Sequence, residues 1–249
     1  IISLYLTHLS KNSKISTLRR RLVSISMVHK LKGHYLDTKH PIIIENLLGI
    51  KRVKGSYQKG KKPILINDLK SIIKVINEDK NKTKRSKNKA LLLVGFAGGF
   101  RRSELVEITI DDIEFVKEGV KIFVKRSKTD QSGEGMTKGI PYFTNPSYCP
   151  VISLKDWIKE GDIKSGKVFK MSDKNVALTI KKYVKLAGLD QSKYSGHSLR
   201  SGFATSTAEL GAEERSIMAM TGHKTTQMVR RYIKEANLFK NNALNKIKL

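Results

Sequence analysis

The first 54 residues of the chain have apolar side chains at the spacing of short helices. Intervals of three and four residues predict a helix over 16–32, which Gly33 ends. The apolar positions of this helix are Leu18, Leu22, Ile25, Val28 and Leu31. A second helix is predicted over 41–52 and ends near Gly55. Residues 1–54 are therefore expected to form a small helical domain.

A basic linker is predicted next, at residues 55–62, where Gly, Ser and Lys predominate. The helix that follows is expected to begin at Asn67 or Asp68, because either side chain can cap a first turn. A lysine-rich gap is predicted over 79–89. The segment 90–96 is apolar on all sides, which indicates a buried helix.

The apolar period then changes from helical to alternating. Segments 113–116 and 120–124, separated by a turn, predict a β-hairpin, and 139–143 is a candidate third strand. Helical spacing returns in later segments. These are 151–159, 173–187, 197–210, 212–220 and a last helix from about Thr225. The predicted fold class is mostly α with a small antiparallel β-sheet, which lies in a domain that spans 63–249.

The charge of the chain favours a polyanionic partner. There are 49 Lys and Arg against 22 Asp and Glu, a formal net charge of +27, and residues 1–62 alone hold 14 basic against two acidic residues. DNA or RNA is the expected partner, although a lysine-rich but ordinary surface would explain part of the excess. The single cysteine, Cys149, excludes an internal disulfide and a cysteine-based metal cluster. No apolar run has the length of a membrane span, so we expect a cytoplasmic protein.

The last fifth of the chain contains side chains suited to chemistry on a phosphodiester. His197, Arg200, His223 and Tyr232 lie within 36 residues. Arginine and imidazole neutralise a phosphate that gains negative charge, and a phenol can act as the nucleophile. No carboxylate cluster that could hold Mg²⁺ lies near them in the sequence, which argues against a metal nuclease. We therefore expect no metal and no other cofactor.

A further arginine, Arg101, follows two glycines at the junction between the buried helix and the next one. The glycines let the backbone approach another group closely, and an arginine held there can bind two phosphate oxygens. Ser103 is the expected N-cap of the next helix. The alternative is a structural arginine that pairs with Glu104 or Asp111 at a helix end.

Several motifs occur in the order and with the spacing of one enzyme family. They are Gly99-Phe100-Arg101-Arg102-Ser103-Glu104-Leu105, Ser127-Lys128-Thr129-Asp130, His197-Ser198-Leu199-Arg200, Gly222-His223-Lys224 and Tyr232. Over about residues 63–240 the chain resembles the tyrosine recombinase (phage integrase) family. Residues 1–54 resemble the later part of that family's helical core-binding domain, which is SAM-like, and we expect its natural start to be missing.

The resemblance implies a fold and a role for each motif residue. The family combines the core-binding domain with an α+β catalytic domain. Arg101 and Arg200 match the two arginines around the scissile phosphate, and His197 matches a residue that transfers a proton or hydrogen-bonds the phosphate. His223 matches the last phosphate contact. Tyr232 matches the nucleophile, which forms a 3′-phosphotyrosyl intermediate.

The family also has a lysine in the β-hairpin that protonates the leaving 5′ oxygen. Lys128 matches this residue best. Lys125 and Lys138 are alternatives in the same basic region. Lysines that protect an exposed strand edge explain such residues without any catalysis.

The implied function is site-specific recombination or integration of DNA by a bacterial phage or mobile element. Double-stranded DNA at attachment sites is the expected partner, bound by four protomers in the cytoplasm and away from any membrane. The residues expected to contact DNA outside the catalytic set are Arg19, Arg20, Arg21, Lys61 and Lys62. Two alternatives remain: a type IB topoisomerase-like enzyme that reseals one duplex, and a degenerate module that binds DNA without cleaving it.

Overall fold

The structure is a computed structural model that describes residues 1–55, 60–125, 133–236 and 243–247, with the side chains of 234–236, 243 and 246 excepted. The chain divides into two compact units, Ile1–Gly60 and Lys61–Leu249. Helices dominate both units, and the larger one also contains a three-stranded antiparallel sheet. The predicted fold class is therefore confirmed. None of the described helices is long and apolar enough to cross a membrane.

Three helices around one apolar cluster form the smaller unit. They are α1 (Ile2–Ser10), α2 (Ile15–Leu31) and α3 (Pro41–Lys54). Pro41 takes the first position of α3, where a missing N–H costs nothing, and His40 Nδ1 accepts the Ile42 N–H at 3.3 Å. The buried apolar side chains of this unit are Leu6, Ile15, Leu18, Leu22, Ile43 and Leu47.

Only the first half of α2 is buried, which the spacing of its apolar residues did not predict. Val28 is 56% exposed and Leu31 is 81% exposed. At about 1.5 Å per residue, α2 is roughly 25 Å long, whereas α1 reaches about half that length. The side chains that α1 and α3 contribute to the cluster pack on the part of α2 that carries Leu18 and Leu22. The helix is confirmed, but its continuous apolar face is not.

The larger unit is built around one central helix. Its helices are α4 (Ile66–Asn77), α5 (Lys82–Ala97), α6 (Arg102–Glu107), α7 (Pro150–Glu160), α8 (Asp173–Leu186), α9 (Ser198–Glu209), α10 (Glu214–Thr221) and α11 (Thr226–Ala236). Residues 90–97 of α5 are all buried, and α4, α6, α7 and α9 pack against this helix. The prediction of a buried helix at 90–96 is confirmed.

The lysine-rich segment before that buried stretch is helical, so the predicted gap over 79–89 is wrong. Helix α5 begins at Lys82, and the side-chain oxygen of Asn81 accepts the Lys84 N–H at 2.8 Å. Lysine is a good helix former, and most side chains in this first half of α5 are exposed or half-buried. The gap was predicted because the apolar period stops where the helix reaches the surface.

The predicted start of α4 is also wrong. The helix begins at Ile66, so Asn67 and Asp68 lie in its first turn and neither of them caps it. Asp68 is used for a tertiary contact instead, because its carboxylate accepts a hydrogen bond from Tyr194 Oη at 3.1 Å.

The sheet consists of β1 (Ile113–Val116), β2 (Gly119–Val124) and β3 (Met136–Pro141), paired antiparallel in that order. The predicted hairpin is confirmed. The third strand begins three residues earlier than predicted, and Ile122 pairs with Lys138. Lys138 points into the unit on the same face as Ile140, so the buried side of the strand starts with a charged residue and the apolar pattern does not show where the strand begins.

The segment that enters the larger unit is bound to the residues just before and within α9. The Lys62 N–H donates to the Lys193 carbonyl at 2.7 Å, and the Ile64 N–H donates to the Ser198 carbonyl at 2.9 Å. A Cβ atom at Gly202 would overlap the Ile64 carbonyl oxygen, so only glycine permits this close approach. These contacts fix the position of the first turn of α9.

Candidate active site

Arg200 lies in the first turn of α9 and is only 1% exposed. Its Nη1 donates to the Gly99 carbonyl oxygen at 2.9 Å. Its Nε and Nη2 have no hydrogen-bond partner among the residues that the structure describes. Buried charged donors without partners are costly, because they have lost water and gained nothing in exchange. An anion with several oxygens, such as a phosphate, would satisfy them.

Arg101 immediately precedes α6 and pairs with one carboxylate. Its Nη1 donates to Glu104 Oε1 at 2.5 Å, and Glu104 Oε2 accepts the Arg101 N–H at 2.9 Å. The structural pairing that the sequence left open is therefore present, and Glu104 closes the first turn of α6 in place of the predicted cap Ser103. The Arg101 side chain keeps 16% exposure. An incoming ligand can therefore still reach part of this guanidinium.

Packing of α9 against α11 brings His197 and Tyr232 together. His197 directly precedes α9, and its Nε2 lies 3.1 Å from Tyr232 Oη. Val229, three residues before the tyrosine, is fully buried in a cluster with Ala204 of α9. This burial sets the rotation of α11 and directs Tyr232 toward His197. A phenol and an imidazole at this distance can exchange a proton.

His223 reaches the same site through a turn that follows α10. Gly222 has the left-handed conformation, with φ of 62°, which ends the helix and redirects the chain. His223 Nδ1 lies 2.8 Å from Thr221 Oγ1, and its ring centroid lies 6.0 Å from that of Tyr232. The side chain is nearly buried. The structure therefore places His223 beside the phenol that His197 contacts.

The electrostatic character of the site is set by its two arginines, Arg101 and Arg200, and favours an anion. Burial and the charges of Arg200 and Arg101 lower the pKa of His223 from 6.5 to about 4. Burial and the same two arginines lower the pKa of His197. Burial, and then Arg101, lower the pKa of Arg200 to about 10. Both histidines are therefore neutral at pH 7, because burial and the positive charges of the two arginines disfavour the imidazolium form.

The three lysines proposed for the catalytic role differ in their surroundings. Lys128, which matched the family's lysine best, lies outside the described residues, and its assignment stays a prediction. Lys125 has its Nζ 2.8 Å from Asp112 Oδ1 and a side chain that is 57% exposed. Lys138 is only 1% exposed, and its Nζ donates to the Gly98 carbonyl at 2.8 Å. Lys138 therefore belongs to the interior of the unit rather than to a solvated strand edge.

The basic residues predicted to contact DNA outside this site are exposed. They are Arg19, Arg20 and Arg21 on α2 of the smaller unit, and Lys61 and Lys62 at the start of the larger one. Arg21 Nη1 also donates to Tyr5 Oη at 3.3 Å. Lys61 Nζ donates to the Ser192 carbonyl at 2.6 Å, so this ammonium is already engaged within its own unit.

Sequence reasoning missed the capping role of Glu104, the contact of Thr221 and the burial of Lys138. The spacing of three residues between Arg101 and Glu104 was a signal for a capping carboxylate. Alternation along β3 places Lys138 on the same face as Ile140, and this was the signal for its burial. Thr221 gave no signal, because its contact depends on the turn after α10.

No group of three or more His, Cys, Asp or Glu side chains that could hold a metal ion occurs within the described ranges.

The pKa shift of His223 predicts a pH dependence of stability. Between pH 6.5 and about 4 the unfolded chain binds a proton at this residue that the folded chain does not, so stability falls as the pH falls through this window. The shift corresponds to a loss of about 3 kcal/mol at most. We expect the His223→Gln variant to lose less stability than the wild type over this window. Urea unfolding followed by the fluorescence of Trp157, the only tryptophan and a residue of this unit, measures the difference.

Carboxylates titrate in the same window in both proteins, so the comparison between variant and wild type isolates the histidine. Parallel pH profiles for the two proteins would contradict the expected neutral state of His223.

Comparison with known proteins identifies similar chains. A family model described as the phage integrase family matches residues 64–238. An integrase/recombinase XerD homologue of Selenomonas ruminantium is 41% identical over 258 residues, which cover 98% of this chain and 75% of that protein. Tyrosine recombinase XerD of Haemophilus ducreyi is 32% identical over 147 residues, which cover 57% of this chain and 49% of that protein.

Solved structures of tyrosine recombinases share the fold. The integrase of the transposon Tn1549, in complex with circular intermediate DNA, superimposes with a TM-score of 0.68 at 16% identity, over 93% of this chain and 79% of that one. The XerH site-specific recombinase, bound to its palindromic difH substrate after cleavage, gives a TM-score of 0.60 at 17% identity, over 93% of this chain and 74% of that one.

Proposed function

The chain belongs to the phage integrase family and is a tyrosine-type site-specific recombinase, and we propose that Tyr232 is the nucleophile with which it cleaves DNA. One observation carries this proposal. The phenol oxygen of Tyr232 lies 3.1 Å from His197 Nε2, beside a buried arginine, Arg200, that has two donors without partners in the described part of the chain. A nucleophile, a proton acceptor and donors that can bind the phosphate are the components that phosphodiester cleavage requires.

The two arginines are proposed to hold the scissile phosphate. Arg200 Nε and Nη2 donate to its oxygens, and Arg101, which keeps some exposure, donates from the side of α6. The phosphate gains negative charge when a fifth oxygen approaches, so these contacts strengthen in the transition state. A charge-assisted hydrogen bond contributes about 1.5–3 kcal/mol, and two guanidinium groups can donate several such hydrogen bonds.

The reaction is proposed to run through a covalent intermediate. Tyr232 Oη gives its proton to His197 and attacks the phosphorus, which breaks the bond to the 5′ oxygen and leaves a 3′-phosphotyrosyl enzyme. The departing 5′ oxygen takes a proton from Lys128, the residue that the family resemblance assigns to this step. The 5′-hydroxyl of a partner strand then attacks the phosphotyrosine and restores the DNA backbone. The bond energy is conserved throughout, so the reaction needs neither a nucleotide nor a metal.

His223 is proposed to become charged only when DNA binds. In the free site burial and the two arginines keep His223 neutral, because they lower its pKa to about 4. A bound phosphate offsets the charge of Arg200 and Arg101 and raises that pKa, since an adjacent negative charge favours the protonated imidazole. His223 then donates to the phosphate as a cation. Substrate binding therefore supplies one of the charges that stabilise the transition state.

The partner is proposed to be double-stranded DNA that carries recombination sites. The net charge of +27 supports this partner, and the exposed arginines of α2 are suited to phosphate contacts in the smaller unit. Exchange of strands between two duplexes requires four cleavages, so we propose a homotetramer on DNA, with one active site for each cleavage. The place of action is then the bacterial cytoplasm.

A suicide substrate tests the proposed function. The duplex that the protein binds most tightly in a random pool is given a nick near its centre, so that cleavage releases a short fragment and traps the enzyme. A protein–DNA adduct at the 3′ end, stable in a denaturing gel and formed in EDTA, supports the mechanism. Relaxation of supercoiled DNA without recombinants would favour a topoisomerase-like enzyme. Tight binding without an adduct would favour a binding module.

The arginines of α2 are expected to act through phosphate charge rather than through base contacts. Replacing Arg19, Arg20 and Arg21 by Gln should reduce the slope of log affinity against log salt by up to about 3, because each phosphate contact contributes roughly one unit. Fluorescence anisotropy with a labelled duplex at several salt concentrations measures this slope.

A matched triple variant controls for the loss of three charges. Its lysines already lie within 4 Å of a carboxylate in the larger unit, so they release fewer counterions. They are Lys164, Lys167 and Lys193, with contacts of 3.2, 2.7 and 3.3 Å. A slope of the α2 variant that equals the wild-type slope would show that these three arginines do not contact DNA phosphates.

A further inference from the structure

Lys138 extends from the sheet into the interior of the larger unit. It lies on β3, and its side chain has no exposed surface. Its Nζ donates to the Gly98 carbonyl at 2.8 Å, lies 3.8 Å from Glu104 Oε2, and lies 4.4 Å from the centre of the Phe100 ring. Gly98 and Phe100 lie between α5 and α6, and Glu104 lies in the first turn of α6, so all three partners belong to the 98–104 junction. One buried ammonium therefore contacts this junction at three points.

The same junction holds both arginines of the proposed phosphate site. The carbonyl of Gly99, next to the one that Lys138 binds, accepts the hydrogen bond from Arg200. The carboxylate of Glu104, which Lys138 faces, holds the guanidinium and the N–H of Arg101. Lys138 is therefore linked to Arg200 through the backbone at Gly98 and Gly99, and to Arg101 through the carboxylate of Glu104.

If Lys138 only filled space in the interior of the unit, its side chain would not need to be charged. A buried charge carries a desolvation cost, and an apolar side chain of similar volume is often as stable or more so. Burial, with Arg200 and Arg101 nearby, lowers the pKa of Lys138 to about 7, and Glu104 opposes that decrease. The groups that face this ammonium are Glu104 and Arg101 at the junction, Arg200 on α9 and His223 after α10.

We propose that Lys138 is a positioning residue of the cleavage reaction, which fixes the 98–104 junction so that Arg101 and Arg200 meet the same phosphate. This inference rests on the proposed roles of the two arginines. Lys138 itself does not touch DNA, because its side chain is enclosed. A displacement of about 1 Å in a catalytic group can lower a rate by about 100-fold, so a small shift of the junction would have a large effect.

The test compares Lys138→Met with Lys121→Met. Lys121 lies on β2 of the same sheet and pairs with Glu114 at 3.2 Å, but its side chain is 51% exposed. Both changes remove one ammonium and keep a similar side-chain length. We expect K138M to lower the rate of adduct formation at saturating DNA by about 30- to 100-fold, with the dissociation constant changed less than about threefold. K121M should stay within about twofold of the wild type in both quantities.

Two further variants separate positioning from folding. Lys138→Arg keeps the charge and should recover most of the rate, which a purely structural role would not require. Lys138→Gln also lacks the charge; it replaces K138M if that variant melts below the assay temperature, and the same loss of rate is expected for it. A wild-type rate in any folded variant without the charge, measured below its melting temperature, would overturn the proposal.

A crystal structure of K138M keeps this test independent of the proposed function. Displacement of the Arg101 guanidinium or of the Gly99 carbonyl supports the positioning role even if the wild type forms no adduct. Both groups unmoved would reject it. The absence of an adduct in the wild type counts against the proposed function alone.

Discussion

Replacement of Tyr232 by Phe should lower the formation of the covalent adduct by at least about 10⁴-fold, because the variant lacks the oxygen that attacks the phosphate. The change removes a single atom. The ring remains packed beside Val229, and the backbone of α11 is unaltered. DNA affinity is therefore expected to stay within about twofold, since phosphate contacts dominate binding. Single-turnover cleavage of the nicked duplex, with anisotropy measured in parallel, gives both quantities.

The matched control is Tyr142→Phe. Tyr142 Oη accepts a hydrogen bond from Lys155 at 2.6 Å in the same unit, so this variant also removes one bonded phenol oxygen. Its adduct should form at the wild-type rate. If Y232F still formed the adduct, Tyr232 would not be the nucleophile. The proposed role of His197 as the acceptor of its proton would then be wrong as well.

Replacement of Arg200 by Met should separate activity from stability. The rate of cleavage is expected to fall by about 10³-fold, because the variant loses the donors proposed to hold the phosphate in the transition state. The free energy of unfolding is expected to stay within about 1 kcal/mol of the wild type or to rise. Arg200 is buried with Nε and Nη2 unpaired among the described residues, so its removal relieves a desolvation cost. Losing the bond to the Gly99 carbonyl offsets part of that gain.

Arg85→Met serves as the control for Arg200→Met. Arg85 lies near the start of α5, and its Nη1 donates to the Asp79 carbonyl at 3.1 Å. Cleavage by this variant should be unchanged. Stability of all three proteins follows from urea unfolding monitored by Trp157. A large loss of stability in R200M would show that Arg200 is a structural residue whose donors are satisfied in solution.

The pattern of apolar residues predicted several elements correctly. The segment of α5 that is apolar on all sides and the hairpin of β1 and β2, where apolar residues follow the strand period, are confirmed. The pattern did not predict the first half of α5, whose lysines extend into solvent, or the start of β3, where Lys138 is buried. In both places the conformation depends on contacts with other elements, and the pattern of hydrophobic residues along the chain does not show these contacts.

The candidate site was predicted as a set of residues, but not as an arrangement. Motif spacing identified His197, Arg200, His223 and Tyr232, and the structure places them around one pocket. The sequence left open whether Arg101 pairs with a carboxylate, and the structure shows that Glu104 binds it. Distances and unpaired donors depend on the packing of α9, α11 and the α5–α6 junction, which lie far apart in the chain. Such features emerge only in the folded unit.

The contact between His197 and Tyr232 joins two residues of the same polypeptide, so we expect each copy of the protein to supply both groups of its own cleavage site. If Tyr232 and His197 have the roles proposed for them, we expect that a copy that lacks Tyr232 and a copy that lacks His197 will not complement each other at a cleavage site. In cells that express active and inactive copies together, cleavage should then decline in proportion to the active fraction. Completed strand exchange should decline as a power of that fraction, and the exponent gives the number of competent copies that take part in one exchange.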